Sequence, residues 1–172
     1  MLLIYYLIFK DYAMSTIEKK SLKVGKYVNT EHVDTVIRTY KKERWVHNSE
    51  RMGKPDSLSA WYSVEELEEF FATAKQHGAD GVKMYFAAYP ENYTATPEYA
   101  GLQTLVLVAT KSKETENGIA NKDIYFAKDG STEILAYNAS KLCPPFCGGG
   151  GDFGKIGVTI VDKGDDGLAI IW

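Results

Sequence analysis

The sequence predicts an α+β fold, a mostly antiparallel sheet with two helices on one face. Three observations predict it. Two helical periodicities stand together in the first half of the chain, ahead of most strand-like segments. The later strand-like segments are separated by short turn signals, as hairpins are. The regular alternation of strand and helix that a doubly wound sheet requires is missing.

A chain of 172 residues fits one domain, or one domain with tails. Residues 14–172 are expected to form a single α+β domain, preceded by an apolar extension over residues 1–13. A chain of this size buries roughly 70% of its unfolded surface, so its core needs no disulfide or metal. Hydrophobic content of 45% and charged content of 25% are ordinary globular values. A net charge of −3 gives no electrostatic reason to expect nucleic acid.

Residues 1–13 read MLLIYYLIFKDYA, with eight apolar residues in a row from Leu2 to Phe9. That run is far short of the roughly 20 residues that span a bilayer as a helix. No Lys or Arg precedes it and no small-residue cleavage site follows, so a signal peptide is not favoured. The first account is an upstream start, with Met14-Ser15-Thr16 the more usual beginning. A strand, paired at home or donated to a neighbour, comes second, and a secretory or membrane role third.

A short strand is expected at Leu22 to Val28. Thr30 then reads as the cap of a helix, with Glu31 and Asp34 in its first turn, where the dipole favours anions. Val33, Val36, Ile37 and Tyr40 follow the 3.6 period, with Arg44 or Trp45 as candidates to continue it. The basic residues Lys41, Lys42 and Arg44 suit a solvated helix end better than a binding patch. His47 to Ala60, with Gly53 and Pro55, reads as a loop.

The segment from Trp61 carries the strongest local signal. Ser63 and Glu66 have the spacing of a capping box. Val64, Leu67, Phe70, Phe71 and Ala74 form a broad apolar face, and Gly78 is placed to end the helix. Glu65, Glu66, Glu68 and Glu69 fit a solvated first turn rather than a catalytic carboxylate pair. Val82, Met84, Phe86 and Ala88 then alternate with Lys83, Tyr85 and Ala87, the period of a strand with one face inward. Two prolines break the pattern between Pro90 and Ala100. Leu102 to Ala109 reads as a central strand buried on both faces. Lys111 to Lys122 reads as an exposed turn. Asp129-Gly130 sits between β-like runs at Ile124–Ala127 and Glu133–Tyr137, a hairpin signal. The last strands are expected at Ile156 to Val161 and Leu168 to Trp172.

Chemistry has few places to sit. Cys143 and Cys147 are the only cysteines, separated by Pro144, Pro145 and Phe146. The prolines tend to hold them apart in extended geometry. A turn with unreactive cysteines, a disulfide or redox pair, and a metal site all stay open, in that order. Sparse cysteine usage favours a reducing compartment, so the cytoplasm is expected. A zinc site wants four Cys or His ligands in close pairs, and His32, His47 and His77 are scattered. Gly149, Gly154 and Lys155 echo a phosphate loop, but Ile156 stands where Ser or Thr is needed. No catalytic residue, metal or cofactor is therefore assigned. The best binding candidates are Tyr89, Tyr93 and Tyr99, amphipathic rings in a loop stiffened by Pro90 and Pro97. Rings that simply cover the sheet edge are the competing account.

The chain resembles a class of small uncharacterised bacterial proteins. These pair a W-[FY]-S-x-E-E-L helix, here Trp61 to Leu67, with a G-[IV]-[KR]-x-Y-[FL] strand, here Gly81 to Phe86. A C-P-P-x-C segment, here Cys143 to Cys147, completes the likeness, which spans roughly residues 58–147. The resemblance implies kinship and brings no activity with it. The expectation is a binding or self-associating protein rather than an enzyme, with a homo-oligomer or protein partner and neither nucleic acid nor membrane. The alternative is a redox or metal protein using Cys143 and Cys147.

Overall fold

In a computed structural model, residues 23–147, 159–162 and 168–171 are described. The apolar extension 1–13 and the glycine run 148–151 lie outside the described residues. Residues 23–29 form no regular structure, and Val24 and Tyr27 face solvent, so the strand expected at Leu22 to Val28 is absent from its described part. Among the described residues no strand pairs with this stretch, and a lone strand has nothing to bond with.

The first helix starts one residue earlier than its expected cap. Asn29 is extended, and its side chain accepts from the His32 amide at 3.0 Å. It therefore takes the capping role assigned to Thr30. Helical backbone then runs unbroken through α1 (Thr30–Tyr40), a π segment (Lys41–Trp45) and α2 (Val46–Met52). Gly53, at φ +66°, ends it in the left-handed conformation. Residues 46–52 are thus helix and not the loop expected from His47 onward.

A buried carboxylate ties this rod to the sheet. Asp56 is 1% exposed. Its Oδ1 accepts from the Gln103 and Ser57 amides, both at 2.7 Å, and its Oδ2 accepts from Asn48 Nδ2 at 3.0 Å. Its own amide donates to Ser49 Oγ, and its carbonyl accepts from Trp45 Nε1 at 2.8 Å. The rod, the turn after it and the start of the central strand meet at this one side chain.

After β1 (Ser59–Trp61) comes α3 (Val64–Gln76), formed as its sequence dictates. Both halves of the Ser63–Glu66 capping box are made. The Ser63 amide and hydroxyl hold the Glu66 carboxyl below the ordinary carboxylate range. Gly78 closes the helix at φ +80°. Then β2 (Gly81–Ala88) pairs antiparallel with β3 (Gln103–Thr115), from Gly81 opposite Thr110 to Ala88 opposite Gln103.

The polar stretch expected to be an exposed turn extends β3 and supplies most of β4 (Gly118–Asp123), with the reversal at residues 116–117. Backbone pairing, not side-chain burial, makes this hairpin, which is why no apolar alternation announces it. Next come β5 (Tyr125–Lys128) and β6 (Ser131–Ile134), joined by Asp129 and Gly130 at φ +48° and +80°. Positive φ at both positions is the geometry that Asp-Gly favours in a two-residue hairpin. Then follow β7 (Ala136–Tyr137), which pairs with β3, and β8 (Lys141–Cys143), which pairs with β1. Finally β9 (Thr159–Asp162) and β10 (Leu168–Ile171) pair with each other.

The result is a mixed α+β fold with an antiparallel sheet at its core and two helices, the rod and α3, on one face. Strand alternation sets that face. Leu107 and Ala109 of β3 are buried against Phe70 and Ala74 of α3, with Leu135 completing the cluster. A second cluster joins Tyr99, Leu102 and Leu142 to Met52 and Ala60.

Candidate functional site

The sheet runs in the order β2-β3-β4, so β2 is an edge strand. Among the described residues it pairs with β3 alone. Proteins usually blunt such an edge with proline, a bulge or an outward lysine. β2 has no proline, and its register with β3 is continuous over eight pairs. Its lysine is engaged elsewhere. Lys83 reaches over β3 to Asp123 of β4, Nζ to Oδ1 at 2.6 Å, and the Tyr85 hydroxyl donates to the other oxygen at 3.2 Å. This pairing raises the Lys83 ammonium above its ordinary value and lowers the Asp123 carboxyl.

The residues of β2 expected to face inward do share the helix-bearing face, but the helices do not cover all of them. Val82 packs on the α3 cluster, whereas Met84 is 57% and Phe86 82% exposed. The reason is the layout. The α3 cluster gathers about the Val82–Ala109 end of the strands, while α1 stands over the Phe86–Leu105 end. Between α1 and the sheet lies a cleft of about 280 Å³, lined by Val36, Ile37, Leu58, Ala60, Phe86 and Leu105. One polar pair marks it: the Tyr40 hydroxyl donates to Gln103 Oε1 at 2.6 Å. Burial, reinforced by the Asp56 charge, raises the Tyr40 hydroxyl above its usual pKa. Chemically, this is a mostly apolar trough beside a strand whose outer side pairs with no other described strand.

The tyrosines of the 89–100 loop are drawn together. Tyr89 stacks on Tyr93 at 4.4 Å and on Tyr99 at 5.7 Å, and Phe146 meets Tyr99 edge-on. The Tyr89 hydroxyl donates to Asn138 Oδ1 at 2.8 Å, and that of Tyr99 accepts from the Leu142 amide at 3.2 Å. Tyr99 is buried, Tyr89 and Tyr93 half-buried. Burial raises the Tyr89 hydroxyl's pKa.

Cys143 and Cys147 are joined in a disulfide, with Cα atoms 4.6 Å apart. The Cys143–Pro144 and Pro144–Pro145 peptides are cis, not the extended geometry read from the two prolines. Such a pair can exchange two electrons with an external dithiol, which would leave two thiols here and a disulfide on the reductant. Closing so short a loop is worth about 2 kcal/mol by chain entropy. Cys147→Ser is expected to lower stability by about that amount, read as a reduced urea midpoint. An unchanged midpoint would show that the β1–β8 ladder alone holds this turn.

Among the described residues no three His, Cys, Asp or Glu side chains converge to hold a metal ion. No described helix is long and apolar enough to cross a membrane. The edge of β2 and its cleft had a partial sequence signal: the alternation in Gly81–Ala88 and the apolar stripe Val36, Ile37, Tyr40 were both legible. That their facing sides would stay open was not. The chain matches no family model, no curated protein and no solved structure.

Proposed function

We propose that this protein is a non-enzymatic binding module that takes an extended, apolar peptide segment as an added strand on β2. The partner is another protein or a second copy of the chain. The observation that carries this reading is the edge of β2, unpaired among the described residues, with Met84, Tyr85 and Phe86 exposed along it. In strand addition, main-chain hydrogen bonds supply affinity, and pockets for alternate side chains supply selectivity. β2 offers the first, and the cleft beneath α1 offers a pocket at the Phe86 end. The stacked tyrosines brace the connection between β2 and β3, and Tyr93 stays partly open for contact with whatever docks nearby.

A fluorescent eight-residue peptide alternating valine and threonine serves as the probe. Phe86→Lys is expected to weaken its binding at least tenfold, because the added charge guards the edge and loses the apolar contact. Tyr125→Lys, on the separate β5–β6 hairpin, is expected to leave binding unchanged. Equal affinities for the wild-type and Phe86→Lys proteins would rule the site out.

One observation favours a second reading, dithiol–disulfide exchange at Cys143 and Cys147: the bond between them. It also fits an oxidising compartment, whereas cysteine count alone pointed to the cytoplasm. Two thiols that appear only after treatment with a dithiol, and reoxidise with turnover of a second disulfide substrate, would support it.

A further inference from the structure

We propose that the Cys143–Cys147 disulfide is a redox control on the cleft beside β2, holding the β1 wall of that cleft in place while intact and releasing it on reduction. This rests on the reading of β2 and its cleft as a peptide-binding site, and it names what regulates that site.

The link from the bond to the cleft runs through backbone. Leu58 and Ala60 line the cleft. Among the described residues β1 pairs with β8 alone, from Ser59 opposite Cys143 to Trp61 opposite Lys141. The Leu58 amide adds a bond to the Cys143 carbonyl at 2.7 Å. So short a two-stranded ladder is marginal in water without support. Its middle is supported by Leu142, fully buried beside Tyr99 and Leu102. Its Cys143 end is supported by the disulfide, which ties β8 to the turn that follows it. Within that turn the Phe146 amide bonds to the Leu142 carbonyl at 2.9 Å, and the Phe146 ring meets Tyr99 edge-on. Phe146 is 43% exposed, so its ring alone anchors the turn weakly. Cutting the bond leaves the Cys143 end of the ladder to fray, and that end carries Leu58. Local opening of this kind costs less than unfolding the core. The α3 cluster draws no residue from the turn, so it keeps its own contacts.

The bond is open to attack from one side, since Cys147 is exposed and Cys143 half-buried. The reductant is a dithiol. One of its sulfurs, as a thiolate, attacks the Cys147 sulfur, and the electron pair of the broken S–S bond leaves on Cys143. The second sulfur then displaces Cys147. The dithiol becomes a disulfide, and its two protons end on the two cysteines. Exchange with a disulfide oxidant runs the same steps backward. Reduction thus loosens the Leu58 wall, and a docked peptide loses packing at the Phe86 end of the cleft.

The test titrates the fluorescent valine–threonine peptide into the full chain, oxidised and after dithiothreitol under nitrogen, and into Cys143→Ser/Cys147→Ser. Reduction is expected to weaken binding about tenfold, an ordinary size for coupling between two sites, and reoxidation to restore it. The double variant is expected to bind like the reduced protein and to ignore dithiothreitol. Hydrogen exchange gives a second readout. On reduction the amides of Leu58 and Phe146 are expected to exchange about tenfold faster, while that of Ala109 in the α3 cluster keeps its rate. Equal affinity in both redox states would overturn the control and leave the binding site standing. No binding in either state would overturn the binding site and the control with it. Faster exchange at Ala109 as well would overturn the control, because the bond would then brace the whole fold. Weaker binding with the Leu58 amide unchanged would overturn the route through β1.

Discussion

Asp56→Ala is expected to cost about 4 kcal/mol of folding stability, the scale set by stranding buried donors that bonded to a charged group. Two backbone amides, those of Ser57 and Gln103, lose their acceptor at once, and the amide of Asn48 loses a third bond. None is easily rehydrated, because the site is 1% exposed. The wider consequence is loss of register between the rod and β3, since Asp56 is where they meet. For a protein of this size the change corresponds to a drop of about 10 °C in melting temperature. Asp56→Asn is expected to cost about half as much, as one oxygen remains to serve the backbone amides. Urea denaturation of the two variants separates the effects. A shift below about 1 kcal/mol for Asp56→Ala would mean that this segment finds other acceptors.

Phe70→Ala is expected to cost a similar amount, about 4 kcal/mol, from lost burial and the cavity left behind. Phe70 is 6% exposed and sits at the centre of the α3–sheet contact. Its ring lies 5.6 Å from Tyr137 in a stacked arrangement and 5.9 Å from Phe71. Phe70→Leu keeps most of the volume and is expected to cost about 1.5 kcal/mol. The difference between the two variants isolates volume from ring stacking. If leucine proves as damaging as alanine, the stacked geometry with Tyr137 carries the contact, and burial alone does not.

The parts of the fold legible in the sequence are those fixed within a few residues. The Ser63–Glu66 box and Gly78 bound α3 through contacts three or four residues apart. Asp129-Gly130 sets the β5–β6 turn by backbone preference alone. Where a distant partner decides, the sequence is silent. Asp56 looks like any aspartate in a Pro-Asp-Ser turn until Gln103, 47 positions on, is known to sit against it. The helix past Trp45 was hidden for another reason. The 3.6 spacing fails across Lys41–Trp45, where the backbone is π-helical, so the apolar pattern breaks off there. For the candidate site, alternation showed which residues of β2 share a face. It carried no information on whether a helix would reach across to cover Met84 and Phe86, because that depends on the spacing of α1 and α3 over the sheet.

The π segment has a consequence for how the rod tolerates changes in length. A π turn takes one residue more per hydrogen-bonded ring than an α turn, as the Val46 amide shows by bonding to the Lys41 carbonyl. On an α-helix one residue is worth about 100° of rotation. The rod therefore behaves as two cams on one shaft, timed separately. The forward cam aims Val36, Ile37 and Tyr40 at the cleft, and the rear one aims Asn48 and Ser49 at Asp56. Removing one residue from 41–45 would let the backbone relax into plain α-helix, yet both cams would keep their timing, because the lost residue is the one the π turn added. Removing Val46 or His47 has no such reserve. It swings whatever follows by about 100° and takes Asn48 and Ser49 off the carboxylate they serve.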